Sequence, residues 1–178
     1  MIKRAAEFAE KAHRGAMRKG TNVPYITHPL ETAVIVSMMT EDPELIAAAL
    51  LHDTMEDAGV TYEELRGIFG PRVAALVSEE SEDKSRTWME RKTATLEHLR
   101  TAGRDLKLLT LADKLSNIRS MSRDYLLVGE QLWQRFRVKE KELHSWYYTS
   151  MIELLSDFAQ TKEYQEYVSL CRRLFGTV

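Results

Sequence analysis

Helix breakers constrain this chain more than any other feature. All four prolines, Pro24, Pro29, Pro43 and Pro71, lie in the first 71 residues, and only eight glycines occur in 178 residues. Long runs without a breaker favour helices over strands. No β-hairpin signal appears, and the one extended piece expected is around 22–26, where Pro24 restrains the residue before it.

Apolar spacing then places the helices. Ala5, Phe8, Ala9 and Ala12 form a stripe that predicts a first helix over 2–14. A polar loop follows. Pro29 suits the first position of a second helix, to about Met39. Asp42 is an N-cap with Pro43 behind it and an apolar run leading into LLHDTMED. Thr61 with Glu64 and Thr87 with Glu90 are capping-box pairs for helices ending near 69–70 and 100. Pro71 opens a helix to about Ser81. A long helix is expected over 105–124, two helices or one bent one over 131–156, and a last helix over 159–174. The expectation is an all-α fold, a single helical bundle of about eight to ten helices over residues 1–178.

Lys plus Arg total 25 and Asp plus Glu 27, a net charge of −2. That balance argues against a dedicated nucleic-acid binder. The uncharged stretches 32–40 and 45–51 are too short to span a bilayer. The N-terminus lacks an apolar signal-peptide core. The lone Cys171 cannot form an internal disulfide and reads as a small core residue, which fits a cytoplasmic location.

The chemistry concentrates at His52-Asp53. An acidic side chain after the buried-looking Leu50 and Leu51 is costly unless something pairs with it. A divalent metal fits, and imidazole with carboxylate suits Mn²⁺, Fe²⁺ or Zn²⁺. His28 and Asp113 are the further polar groups expected among apolar neighbours. Such a set leaves positions open for water and substrate. Glu56 and Asp57 fall within one helical turn of the pair, where carboxylates orient water and move protons. The bland readings are a hydrogen-bonded core His for His28 and a structural acceptor for Asp113. His98 and His144 read as surface residues, and Glu79–Asp83 as a solvated helix end. Arg18 and Lys19 stand where they reach the metal's mouth, and Lys84, Arg86 and Arg91 join them by charge and neighbourhood as phosphate-binding candidates. Asn117 and Ser120 lie one and two turns beyond Asp113. Solvated faces are expected for Lys92, Arg123, Arg135, Arg137 and Lys139.

The ordered set H…HD…D, with the strings AHRGAMRKGTNVPYITHP, AALLHDTMEDAGVTYEELRGIFGPRVAALV and LLTLADKLSNIRSM, resembles the HD-domain metal-dependent phosphohydrolases, and within them the hydrolase domain of the RelA/SpoT alarmone enzymes. The likeness spans roughly residues 3–125 and continues more weakly to about 155. Since the sequence ends at Val178, it is similar to the small stand-alone hydrolases of this group. The resemblance implies hydrolysis of (p)ppGpp to GDP or GTP plus pyrophosphate, with Mn²⁺ held by His28, His52, Asp53 and Asp113. It implies that Glu56 and Asp57 are the catalytic acidic pair, that Arg18 and Lys19 lie beside the guanine, and that Asn117 and Ser120 contact sugar and phosphate. Ala16 and Gly20 depart from the family pattern, which often has Gln and then Ser or Asp there. Both lie in the loop expected to read the base. Other readings stay open: cleavage of another nucleotide phosphate such as the 2′-phosphate of NADPH, a non-catalytic alarmone sensor, or a helical interaction module. Trp133, Trp146, Tyr147 and Tyr148 mark either core packing or a homodimer surface.

Overall fold

A helix with no polar face must be buried on every side. α3 (Pro43–Leu51) is such a helix, with every residue from Leu45 to Leu51 buried. In the computed structural model, which describes residues 1–176, it is surrounded by α1 (Ile2–Ala12), α2 (Thr27–Met39), α6 (Pro71–Glu80) and α8 (Arg104–Val128). α4 (Thr54–Ala58), α5 (Tyr62–Phe69), α7 (Trp88–Thr101), α9 (Lys141–Leu154) and α10 (Lys162–Phe175) complete the ten α-helices of the described residues, with 3₁₀ segments at Gly129–Arg135 and Ser156–Phe158. Among the described residues there is no strand. A single isolated bridge joins Met17 to Pro24, in the segment expected to be extended. No described helix is long and apolar enough to cross a membrane.

The caps explain why the helices start where they do. The Asp42 carboxylate accepts from the backbone N–H groups of Glu44 and Leu45 at 2.9 and 3.4 Å. Thr87 and Glu90 form the reciprocal capping box. Thr61 accepts from the Glu64 N–H, but the return bond is not made. Arg72 then ties Asp42, Glu44 and Asp105 together at 2.6–2.9 Å, linking the starts of α3, α6 and α8.

Several expected boundaries shift. α2 begins at Thr27 rather than Pro29, so His28 lies inside its first turn. α8 continues to Val128, where Gly129 ends it. The 131–156 region is a 3₁₀ segment followed by α9. His144 is buried rather than exposed. It stacks on Trp133 with centroids 5.3 Å apart and donates to the Val138 carbonyl at 2.9 Å. Trp133, Tyr147, Tyr148 and Cys171 are all core residues.

The α5–α6 pair covers one side of this core through Leu65, which is fully buried. Leu65→Ala is expected to cost about 2–5 kcal/mol through lost burial and the cavity left behind, read as a lower urea midpoint at unchanged slope.

Candidate metal centre and its cleft

α3 ends at Leu51, and His52 and Asp53 form a turn before α4. On a continuous helix adjacent side chains diverge by about 100°. The turn lets both reach one point: His52 Nε2 lies 3.0 Å from Asp53 Oδ2. His52 Nδ1 donates to the Ala49 carbonyl at 2.8 Å, and Thr54 Oγ1 to the Leu51 carbonyl at 2.6 Å, closing the end of α3. Asp53 is the N-cap residue of α4, and the Asp57 N–H bonds to its carbonyl at 2.8 Å. The expected one-turn relation therefore holds between Asp53 and Asp57, whereas that between His52 and Glu56 spans the break.

α2 and α8 bring the other two groups. His28 Nε2 lies 3.2 Å from His52 Nε2, 3.0 Å from Asp113 Oδ1 and 3.4 Å from Asp53 Oδ2. One ligand atom each from His28, His52 and Asp113 falls within 4.8 Å of the others, and all three residues are buried. The surrounding bonds fix the tautomers. A carbonyl only accepts, so His52 carries its proton on Nδ1. Ser116 Oγ gives its proton to Glu31 at 2.8 Å and therefore accepts from His28 Nδ1 at 2.8 Å. Both Nε2 lone pairs then face each other beside two carboxylates, an arrangement that fits a divalent cation. Without one, burial opposes protonation of His52, but Asp53 and Asp113 outweigh it and raise its pKa well above the usual value. A cation supplies the positive charge that this pocket calls for.

A cleft of about 730 Å³ opens from this point, within the range of small-molecule sites. Glu56, Asp57, Arg18, Lys19, Lys84, Arg86, Arg91, Asn117 and Ser120 all line it, as do His28, His52, Asp53 and Asp113. Arg18 donates to Asn117 Oδ1 at 2.9 Å, and Asn117 donates to Asp113 Oδ1 at 2.6 Å. Burial, aided by Asp53 and Glu82, raises the Glu56 carboxyl above its ordinary pKa. The three later cations each meet a carboxylate: Lys84 at 2.5 Å from Asp57, Arg86 at 3.3 Å from Asp83 and Arg91 at 2.9 Å from Glu82.

Several features of the cleft and its surroundings were not anticipated. Tyr25 OH donates to Asp53 Oδ2 at 2.7 Å and lies 3.1 Å from Asp57 Oδ2, bridging the metal cluster to the acidic pair. Its place in PYITH was the available signal. Behind Tyr25, outside the cleft lining, His13 is buried against the Tyr25 ring with centroids 4.9 Å apart. The Glu79–Asp83 run is not wholly solvated. Glu80 is half-buried, its side chain only 7% exposed, and accepts from Thr110 Oγ1 at 2.6 Å and Lys114 Nζ at 3.5 Å. Glu82 is half-buried and accepts from Arg91, Lys92 and Thr95. Lys92 and Arg135, expected on solvated faces, line the cleft instead. Lys114 also bonds the second oxygen of Asp113.

The fold and donor set define a helical metal-site domain, and the chain belongs to the HD domain family, whose model matches residues 5–139. It is 41% identical over 136 residues to guanosine-3′,5′-bis(diphosphate) 3′-pyrophosphohydrolase MESH1 of Danio rerio, covering 75% of this chain and 73% of that protein. The Homo sapiens protein of the same name is 38% identical over 139 residues, covering 76% and 75%. A solved structure described as a metazoan ortholog of SpoT that hydrolyzes ppGpp superimposes with a TM-score of 0.82 at 25% identity, over 99% of this chain and 96% of that one. The lmo0812 structure from Listeria monocytogenes EGD-e gives 0.77 at 32% identity, over 84% and 99%.

Ser116→Ala removes the acceptor that orients His28. Metal affinity is expected to fall about 10–100-fold, measured by competition with a chromogenic chelator. Glu82 gives a pH test. Burial pushes its carboxyl up, but Lys92, Lys114 and Arg91 outweigh this and hold it below the ordinary value. A depressed folded pKa stabilises above the unfolded pKa, and that contribution is lost as pH falls through the folded one. Glu82→Gln should therefore lower the melting temperature most near neutral pH, and the gap to wild type should narrow on acidification.

Proposed function

We propose that this chain is a metal-dependent hydrolase that removes the 3′-pyrophosphate of guanosine-3′,5′-bis(diphosphate) and its 5′-triphosphate counterpart, with Mn²⁺ as the working metal. One observation carries the reading. The metal cluster, the Glu56–Asp57 pair and the cationic residues share one cleft, in a chain 38–41% identical, over about three quarters of its length, to proteins named for that reaction. The proposal treats residues 1–178 as one catalytic domain.

His28, His52, Asp53 and Asp113 hold the metal, which when bound supplies Lewis acidity and brings the pKa of water towards neutrality. Glu56 positions the attacking water and takes its proton, a role suited to a carboxyl whose pKa is raised. Tyr25 orders Asp53 relative to Asp57. The water oxygen bonds to the phosphorus on the ribose 3′ oxygen, the P–O3′ bond breaks, and a proton goes to the 3′ oxygen. Pyrophosphate and GDP or GTP result. Lys84, Arg86 and Arg91 offset charge on the departing pyrophosphate. Arg18 and Lys19 bear on the base, and Asn117 and Ser120 on the sugar.

The test is incubation with ppGpp and Mn²⁺, with and without chelator, separating nucleotide, pyrophosphate and orthophosphate. GDP plus pyrophosphate, lost with chelator, is the expected result. Asp53→Ala should remove metal binding and turnover together. Glu56→Ala should retain the metal and lower turnover about 10²–10⁴-fold. Orthophosphate release would assign a different bond, and ppGpp binding without turnover would make the protein a sensor.

A further inference from the structure

The cleft has a second charged end away from the metal ligands. Asp113, Asn117, Ser120 and Asp124 of α8 all line it. Eleven residues of helix at 1.5 Å each place Asp124 roughly 16 Å beyond Asp113 along the axis. There the Asp124 carboxylate accepts a hydrogen bond from Arg135 Nη1 at 3.0 Å. Arg135 arrives from the 3₁₀ segment after α8 and lies across Gly20, in the loop between α1 and α2. A Cβ on Gly20 would stand 2.5 Å from Arg135 Cδ and 2.8 Å from its Nε. Gly20 also has φ +69°, a conformation that favours glycine. The departure at residue 20 thus has a physical reason: it is the bed on which an arginine from the far side of the cleft rests.

Arg135 is 23% exposed at its side chain, and among the described residues its other guanidinium N–H groups have no protein partner. Lys19 and Arg137 line the same end. Lys19 Nζ lies 5.8 Å from the centre of the Phe136 ring, next to Arg135 in sequence. Among the described residues neither Lys19 nor Arg137 meets a carboxylate. This end therefore carries a surplus of positive charge, with one arginine held in a fixed orientation between a carboxylate and a glycine. Oriented guanidinium forks beside unpaired cations suit a phosphate chain better than a neutral base.

We propose that Arg135, held by Asp124 over Gly20, reads the 5′-phosphate chain of the nucleotide and sets preference by its length. This rests on the nucleotide reading above. With the 3′ phosphorus at the metal ligands, the other phosphorylated end of the substrate must extend along the cleft. Each added 5′ phosphate brings more negative charge towards Arg135 and Arg137.

Two measurements on wild type and Arg135→Ala test it. The first is calorimetric binding of GMP, GDP and GTP. Wild-type affinity is expected to rise in that order, and Arg135→Ala should weaken GTP about tenfold more than GMP. The comparison is internal to each preparation, so a fraction of misfolded protein cancels. Equal losses for all three nucleotides, or none, would overturn the proposal. The second is kcat/KM for ppGpp and pppGpp, where the variant should lose more on pppGpp. If wild type hydrolyses both and the variant loses the same factor on each, the activity stands and the Arg135 role falls. If wild type hydrolyses neither, the activity falls, and the GMP–GDP–GTP series alone decides the role of Arg135.

Discussion

Two imidazole nitrogens facing each other at 3.2 Å, with carboxylates from Asp53 and Asp113 beside them, are the constraint on which the rest depends. Buried groups of this kind need a partner charge. The protein builds the pocket by ending its most buried helix, α3, where that partner would sit. His52 closes the helix end with one ring nitrogen and offers the other to the pocket. His28 is turned the same way by the Ser116–Glu31 chain. Both rings have Nδ1 tied to a fixed partner, so both Nε2 atoms are turned towards the pocket before any ligand arrives.

The same logic governs the acids around the cleft. Glu80 and Glu82 are half-buried, and each is met by cations from a neighbouring helix, Lys114 for Glu80, Arg91 and Lys92 for Glu82. Lys114 stands between Glu80 and Asp113, so the structural charge network runs into the His28–His52–Asp113 cluster. α8 is the spine of this arrangement. Its buried face carries Asp113 and Ser116, and its cleft face carries Asn117, Ser120 and Asp124. One helix thereby places Asp113 in the cluster, Ser116 behind His28, and a row of polar groups leading away from the centre.

Much of the fold was legible because its signals are local. Breakers and caps act within one turn of chain, and Asp42, Pro43, Pro71 and the Thr87–Glu90 pair start helices where they were expected. The residues that meet in the cleft as candidate metal ligands and acidic pair were legible because their types in that order resemble the HD pattern. What escaped were features decided by distant partners. His144 looked like a surface histidine until the aromatic residues of the C-terminal third closed over it. Lys92 looked solvated because its partners, Glu82 in the loop after α6 and the Tyr147 ring of α9, lie outside its own helix. Tyr25 had no feature of its own until the turn at His52-Asp53 brought two carboxylates to its hydroxyl.

The sequence by itself determined an all-helical chain, the starts of its main helices and the identity of the metal-ligating candidates. These follow from backbone propensity, capping and residue chemistry, which need only near neighbours. The tertiary structure decided which charges are buried, which cations face the cleft and why residue 20 is glycine. Those depend on which helix lies against which: Arg135 reaches Gly20, and Lys114 reaches Glu80, only after the chain has packed, and no local rule contains that proximity.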